Sequence, residues 1–349
     1  MSIESLCGLT PDEILALIAP EEATMRHAVS VANSIYKKRL ASLREFPGIP
    51  KSLRERLGTV AGSGLFPPIR TVLSDDGSVK FLFRNEPGQL YETVFIPEGK
   101  RQTVCISTQS GCRMGCPFCA TGKYGFFGNL TARDMINQVI SLPMAGQITH
   151  VVFMGMGEPM DNLGNVLKAC RILTAEWGLT IAVKNVTVST VGVEASAREF
   201  LETSPYNFSL SLFSPFPEER IRFVAAERKN PAHRIIDLMK QHSGERKRRM
   251  TIAYVMVKGI NDSDRHLEAL KHLAGNSGIR VNLLPYHPLP GDLNESSPPD
   301  LMQHFKHNLM ISGISASVRR SRGADISAAC GLLASGLAEI STPGQAKQV

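Results

Sequence analysis

The sequence predicts an α/β fold. Its main body is a parallel sheet wrapped by helices, a complete or partial barrel of six strand–helix units, preceded by a small helical module and a short antiparallel β extension. Three observations predict this. From residue 103 onward, short β-rich runs alternate with helix-like runs six times, as parallel strands joined by crossover helices require. Before them, residues 1 to about 60 carry apolar positions at helical spacing, and 69–97 carry β-rich runs separated by turn signals. The chain of 349 residues, 43% hydrophobic and 20% charged, is long enough for one large core with a small appendage. Expected units are a helical module over 1–62, a β extension over 63–100, the barrel over 101–335 and a tail over 336–349.

The helical module opens with "TPDEILALI", where Thr10 is a suitable N-cap, Pro11 takes the first helical position and acids fill the first turn. "EEATMRHAVSVANSIYKKRLASL" continues it to about "FPGIPKSLRERLG". In the extension, "DDGS" and "NEPG" separate the strands. Glu92 lies there on the same side as Val94 and Ile96, which reads either as an edge charge at the sheet boundary or as a functional carboxylate. The barrel strands are read as "TVCIST", "THVVFMG", "KNVTVST", "NFSLSL", "MTIAYVMV" and "RVNLLP". Helical stretches such as "TARDMINQVISL", "NLGNVLKACRILTAEW" and "DRHLEALKHLAG" lie between them. The closing "STPGQAKQV" reads as a frayed tail.

Thirty-nine Lys and Arg against 32 Asp and Glu give a net charge of +7, with local runs at "ERKRRM" (245–250) and "VRRSRG" (318–323). Each run reads as solvated surface or as a contact for a polyanion. No run is apolar enough to span a membrane, and the N-terminus lacks the pattern of a secretory signal, so a cytoplasmic location is expected. Thiols stay reduced there, and clustered cysteines hold metal or perform chemistry.

Three of the seven cysteines fall within eight residues of "STQSGCRMGCPFCATG": Cys112, Cys116 and Cys119. A cube of four irons normally takes four protein thiolates, so three would leave one iron open to another ligand. Zinc is the competing reading, with Cys170 or a distant His as its fourth ligand. The loop directly follows the first barrel strand, at the face where barrel enzymes place their active sites. Other strand ends agree: "FMGMGEP" after the second, Ser189 at the end of the third, "SLF" (211–213) at the fourth and "PYHPLPG" (285–291) after the sixth. Glu158 in "GMGEP" is suited to accept a ligand ammonium group.

The spacing Cys-x3-Cys-x2-Cys, with Phe118 before the last cysteine, resembles the radical S-adenosylmethionine (radical SAM) enzymes. Cys105, seven residues before the loop, and Cys330 in "RGADISAACG" narrow the likeness. Taken alone, each would read as a small buried hydrophobe. Together with "GMGEP" and "ETVFIPE" (92–98) they resemble the RlmN/Cfr family of radical SAM RNA methyltransferases, from about residue 20 to 335.

That resemblance implies the chemistry. A [4Fe-4S] cluster on Cys112, Cys116 and Cys119 binds S-adenosylmethionine, two molecules being used per turnover. Cys330 takes a methyl group from the first. The second is split reductively, and its 5′-deoxyadenosyl radical activates that S-methyl group for addition to an adenine ring carbon. Cys105 resolves the protein–RNA adduct, leaving a transient disulfide with Cys330. Proton removal falls to Cys105 or to Glu92, which matches the family's proton acceptor. Gly157, Glu158, Ser189, Ser211 and Leu212 match S-adenosylmethionine contacts. Phe213 stands where the family usually has His, His287 where it has Asn, and "AAERKNP" (225–231) where it has a "PINKKY"-like segment; that loop is placed to touch RNA. Arg319, Arg320 and Arg322 are expected to hold phosphate, and the N-terminal module with "YKKR" (36–39) to recognise RNA. The implied substrate is rRNA or tRNA, with carbon 2 of adenine favoured over carbon 8. The implied electron donor is a flavodoxin or ferredoxin, and the expected state a monomer. Two alternatives remain at this stage: a paralogue with another RNA or carbon-8 specificity, and a zinc-stabilised RNA-binding protein without catalysis.

Overall fold

The computed structural model describes residues 4–18, 23–244, 248–335 and 337. The expected tail therefore lies outside the described residues apart from Leu337, as does part of the basic run at 245–250.

β1 (Glu4–Ser5) leads into α1 (Pro11–Ile18), and a capping box between Thr10 and Glu13 closes its start: Glu13 accepts from the Thr10 N–H at 2.7 Å. α2 (Met25–Tyr36) and α3 (Lys51–Val60) complete the helical part, and β2 (Ala61–Gly62) pairs in parallel with β1. Tyr36 is buried and its hydroxyl donates to the Leu9 carbonyl at 2.6 Å, so only the Lys37–Arg39 part of "YKKR" faces solvent.

β3 (Arg70–Leu73), β4 (Val79–Arg84) and β5 (Leu90–Glu98) form an antiparallel meander, and β5 pairs antiparallel with β6 (Arg101–Cys105). The β extension is therefore continuous with the main sheet. After β6 come β7 (Gln109–Gly111), the short α4 (Ala120–Tyr124) and β8 (Phe126–Asn129); β7 and β8 form a separate two-stranded hairpin that frames the cysteine loop. The crossover pattern follows: α5 (Ala132–Ile140), β9 (His150–Phe153), α6 (Leu163–Thr174), β10 (Val186–Thr190), α7 (Glu194–Thr203), β11 (Asn207–Ser211), α8 (Pro217–Phe223), α9 (Ala232–Gln241), β12 (Met250–Met256), α10 (Asp264–Ala274), β13 (Arg280–Pro285), α11 (Pro299–Ile311) and β14 (Ala316–Val318).

One ten-stranded sheet runs in the order β14-β13-β12-β11-β10-β9-β6-β5-β4-β3. All six expected barrel strands are present and parallel, and β14 adds a seventh. Its two edge strands, β14 and β3, do not pair with each other, so the barrel is partial.

Burial alternates along the strands and tells the two faces apart. In β12, Met250, Ile252, Tyr254 and Met256 are buried, whereas Thr251, Ala253 and Val255 are half-buried. The first set packs under the helices. The opposite face carries small polar residues, including half-buried Thr187, Ser189, Thr251 and Asn282. A closed barrel fills its interior with bulky branched side chains. This interior has small ones, which leaves room above the sheet at the strand ends.

Candidate active site at the strand ends

The cysteine loop is shaped by its flanking hairpin. The Cys112 N–H donates to the Gly125 carbonyl at 2.7 Å, and the Cys119 N–H to the Cys116 carbonyl at 3.1 Å. Gly111 has φ +76, and a Cβ there would stand 1.9 Å from the Gly125 carbonyl oxygen, so the loop can close only over glycine. Arg113 lies over the Phe126 ring at 4.0 Å and pairs with Asp161 at 3.1 Å, tying the loop to the segment after β9.

Burial pushes the Cys112 thiol up to about 12 and raises Cys116 further, and the charge of Cys119 adds to both. Among the described residues, no three His, Cys, Asp or Glu side chains already stand close enough together to ligate a single ion. The three loop sulfurs act on one another at longer range. Thiols alone make up this donor set, and three thiolates suit an iron–sulfur cluster with one iron left open. Cys170, the nearby fourth zinc ligand considered from sequence, is wholly buried in the core on α6, where burial is the only influence on its thiol.

Glu158 is 2% exposed. Its carboxylate accepts from the Met160 and Val191 N–H groups, each at 2.9 Å, and its own N–H donates to Gln109 Oε1 at 3.0 Å. Burial raises its pKa to about 7, opposed by hydrogen bonds from Thr190, Val191 and Met160. A buried carboxylate of this kind gains most from a cationic ligand group. Gly157, with φ +95, lets the backbone pass Gln109, whose Cβ an added side chain would meet at 2.5 Å.

Ser189 and Ser211 face each other across β10 and β11, their hydroxyls 3.4 Å apart. Leu212 is buried, its N–H bonded to the Ala253 carbonyl at 3.0 Å. Phe213 adopts a left-handed φ of +64, and its carbonyl accepts from Asn261 at 2.6 Å. Its ring stacks on Phe118 of the cysteine loop (centroids 5.2 Å apart) and on Phe223 (4.1 Å). The residue that replaces the family's His thus joins an aromatic stack that reaches the cysteine loop. His287 bonds through Nε2 to the Ser321 hydroxyl at 3.0 Å, linking the loop after β13 to the arginine run, and burial lowers its pKa.

The "AAERKNP" segment divides in two. Arg228 and Lys229 are exposed, but Glu227 is 5% exposed and pairs with Arg220 of α8, which is 1% exposed. Arg220 also donates to the carbonyls of Leu212 (2.7 Å), Ser211 (3.3 Å) and Val191, and Glu227 accepts from the Ala232 N–H at 2.9 Å. This ion pair therefore fastens the ends of β10 and β11. In the other basic runs, Arg248 is buried and donates to the Ser204 carbonyl at 2.9 Å, so it is neither solvated surface nor free for phosphate. Arg249, Arg319 and Arg320 are exposed and Arg322 is half-buried.

Cys105 ends β6, buried, with its thiol pushed up to about 12 by burial and then by the charge of Cys330. Cys330 reaches the surface of the loop after β14; crowding raises its thiol, while the Arg319 charge works the other way. That loop packs on the cysteine loop: the Ala120 N–H donates to the Gly331 carbonyl at 2.7 Å, and the Thr121 hydroxyl to the Leu333 carbonyl at 2.9 Å. Glu92 is not an edge charge. It sits on interior strand β5, 4% exposed, paired with Lys80 of β4 at 3.1 Å and accepting from the Ala334 N–H at 2.8 Å.

Sequence reasoning missed Gln109, Arg220 and Lys80. Arg220 and Lys80 act through partners on other elements. Gln109 alone had a local signal, its place immediately after the first barrel strand.

Residues 106–270 match the radical SAM superfamily. Over 328 residues the chain is 40% identical to a protein of Parabacteroides distasonis named probable dual-specificity RNA methyltransferase RlmN, covering 94% of this chain and 96% of that one. It is 36% identical over 336 residues to the dual-specificity RNA methyltransferase RlmN of Halorhodospira halophila, covering 93% of each. A solved structure of a radical SAM methyltransferase from Sphaerobacter thermophilus superposes with a TM-score of 0.87 at 35% identity, covering 95% of this chain and 99% of the other. The chain therefore belongs to the RlmN/Cfr family of radical SAM RNA methyltransferases.

Proposed function

We propose that this protein methylates carbon 2 of an adenine in ribosomal or transfer RNA, with Cys330 carrying the methyl carbon. The observation that supports this best is the seating of the Cys330 loop. The Gly331 carbonyl is bonded to the residue that follows Cys119, and the Cys330 charge acts on Cys105. The loop that bears the proposed carrier thiol thus packs directly on the cysteine loop.

Cys112, Cys116 and Cys119 would hold the [4Fe-4S] cluster, which when bound supplies the electron that splits S-adenosylmethionine. Glu158 is placed for the ammonium group of that ligand, and Ser189, Ser211 and the backbone of Leu212 and Phe213 for its polar edges. Cys330, losing its proton as it reacts with the Arg319 charge favouring the thiolate, takes a methyl group by displacement and releases S-adenosylhomocysteine. After that carbon is bonded to adenine, the ring proton must leave and the unpaired electron must pass to a one-electron acceptor, a role the oxidised cluster would fill when bound. The carbon–sulfur bond must then break as Cys105 sulfur bonds Cys330 sulfur, leaving a disulfide that a two-electron reductant reopens. Glu92 has one oxygen against Lys80 and the other against the Ala334 N–H. The ring proton falls to Glu92 or to Cys105, whose buried site favours the neutral thiol and so the proton-bearing form.

Exposed Arg319 and Arg320 suit phosphate contacts beside Cys330. The reading further takes a flavodoxin or ferredoxin as electron donor, two molecules of S-adenosylmethionine per turnover and a monomeric enzyme. No helix among the described residues is long and apolar enough to cross a membrane. The test is to methylate ribosomal and transfer RNA in vitro, digest to nucleosides and compare with authentic standards by chromatography and mass spectrometry. 2-Methyladenosine is expected; the carbon-8 isomer alone would refute the assignment, and neither product would point to another substrate.

A further inference from the structure

The loop that carries Cys330 belongs to no strand, yet polar contacts from the antiparallel extension fasten it at several points. In the β3–β4 turn, Asp76 accepts from the Gly323 N–H at 2.9 Å, and the Ser74 hydroxyl and Asp75 N–H donate to Asp325 at 2.7 and 3.1 Å. From β4, Lys80 Nζ donates to the Ser327 carbonyl at 3.3 Å and pairs with Glu92, which holds the Ala334 N–H. Lys80 and Glu92 thus reach both sides of Cys330 from one buried pair. The loop needs such holding. Ser327 (φ +52) and Ala334 (φ +78) both occupy the left-handed region, which residues with side chains adopt only where their surroundings enforce it. The two residues in this conformation are the two that the pair engages.

We propose that Lys80 is a positioning residue for the reaction at Cys330. By joining the Ser327 carbonyl to the Glu92 carboxylate, it fixes where the methyl-carrying sulfur stands relative to the cysteine loop. The β extension is, on this account, the seat of the carrier loop. The proposal rests on the reading of Cys330 as methyl carrier. The polar partners of Lys80 are the Ser327 carbonyl and Glu92 and not the cysteine loop or Glu158, so its loss should spare S-adenosylmethionine binding and cleavage and spoil the transfer of carbon to RNA.

The experiment compares Lys80→Met and Lys80→Arg with the parent protein in two ways. Hydrogen–deuterium exchange over 323–335 is measured on the protein without substrate. The ratio of methyladenosine to 5′-deoxyadenosine formed is measured on the reconstituted enzyme. Losing a charge-assisted hydrogen bond should speed exchange in this segment by about tenfold and lower the product ratio by a similar factor, with the KM for S-adenosylmethionine changed less than about twofold. Lys80→Arg should restore both. Asp76→Ala, at an exposed turn that tolerates substitution, should show the same pattern more weakly even if Lys80→Met folds poorly. Unchanged exchange, a parallel fall in 5′-deoxyadenosine and methyladenosine, or failure of Lys80→Arg to restore the ratio would each overturn the proposal. Exchange is read without RNA or cofactor, so it decides the positioning role even if methyladenosine proves not to be the product.

Discussion

Glu227→Gln should be one of the more damaging single changes outside the cysteines, and its cost follows from burial. Arg220 is 1% exposed and Glu227 4% at the side chain, so neither charge is solvated without the other. Removing the carboxylate charge leaves a buried guanidinium with only neutral acceptors, the new amide oxygen and the carbonyls of Val191, Ser211 and Leu212. Breaking such a pair from one side typically costs about 3–5 kcal/mol, which in a chain of this size lowers the melting temperature by roughly 4–7 °C. Replacing both partners by apolar residues, Arg220→Met with Glu227→Leu, should return stability to within about 2 kcal/mol of the parent. It should not return ligand affinity, because the three carbonyls that Arg220 gathers end the strands bearing Ser189 and Ser211. Chemical denaturation of all variants, with S-adenosylmethionine binding by calorimetry, separates the two effects. A loss under about 1 kcal/mol for Glu227→Gln would refute the assignment of a desolvated pair. Parental affinity in the double variant would refute its link to the site.

Alanine at Cys112, Cys116 or Cys119 should abolish both the visible absorption of the reconstituted cluster and the release of 5′-deoxyadenosine; a triple variant that still releases it would exclude these thiols as ligands. Cys330→Ala should carry no S-methyl group by intact-protein mass spectrometry, whereas Cys105→Ala should accumulate a covalent RNA adduct visible on a denaturing gel, and normal turnover by Cys105→Ala would contradict its resolving role. Glu158 has a folded value of about 7 against an ordinary 4.5, so its protonated form favours the fold. That contribution is complete below pH 4.5 and is lost as pH rises to about 7, a change of roughly 3 kcal/mol that Glu158→Gln should remove from the pH–stability curve. Over the same window the affinity for S-adenosylmethionine should rise with pH as the carboxylate ionises, and a pH slope that persists in Glu158→Gln would assign it to another group.

The barrel was legible because each of its six strands is a β-rich run bounded by turn residues and separated from the next by a helix-length segment. β14 escaped notice because "ASV" is three residues long and offers no alternation to read. The hairpin of β7 and β8 escaped for a related reason: "QSG" and "FFGN" are short, glycine-bearing and joined across a helix and the cysteines. Cysteine spacing carried the site, since ligand geometry constrains local sequence. Glu92 was harder. Its cation lies on the neighbouring strand, where Lys80 stands opposite Val94 and Leu82 opposite Glu92, so the pair is diagonal across the ladder. Only knowledge of the register turns an apparent edge charge into half of a buried pair. Arg220 and Glu227 were hidden likewise, one on a helix and the other in the segment beyond it, with no periodicity to join them.

The continuity of the sheet gives these pieces a common cause. β5 pairs with β6, so the extension cannot move relative to the strand that ends in Cys105 without breaking that ladder. The same extension reaches the 323–334 segment through Asp76, Lys80 and Glu92. A residue near the end of the chain is thereby held in register with one at its first parallel strand, 225 positions earlier, through strands that carry none of the three loop cysteines. On the proposed mechanism Cys105 and Cys330 exchange one bond, which needs a fixed separation and also freedom to part, and the contacts divide that demand. The Cys105 side is fixed by backbone pairing, which is cooperative and hard to open. The Cys330 side is fixed by side-chain contacts, which can be lost one at a time. If one of the two thiols moves in the proposed chemistry it is Cys330, and the antiparallel strands, which resemble an appendage in the sequence, are what would limit its travel.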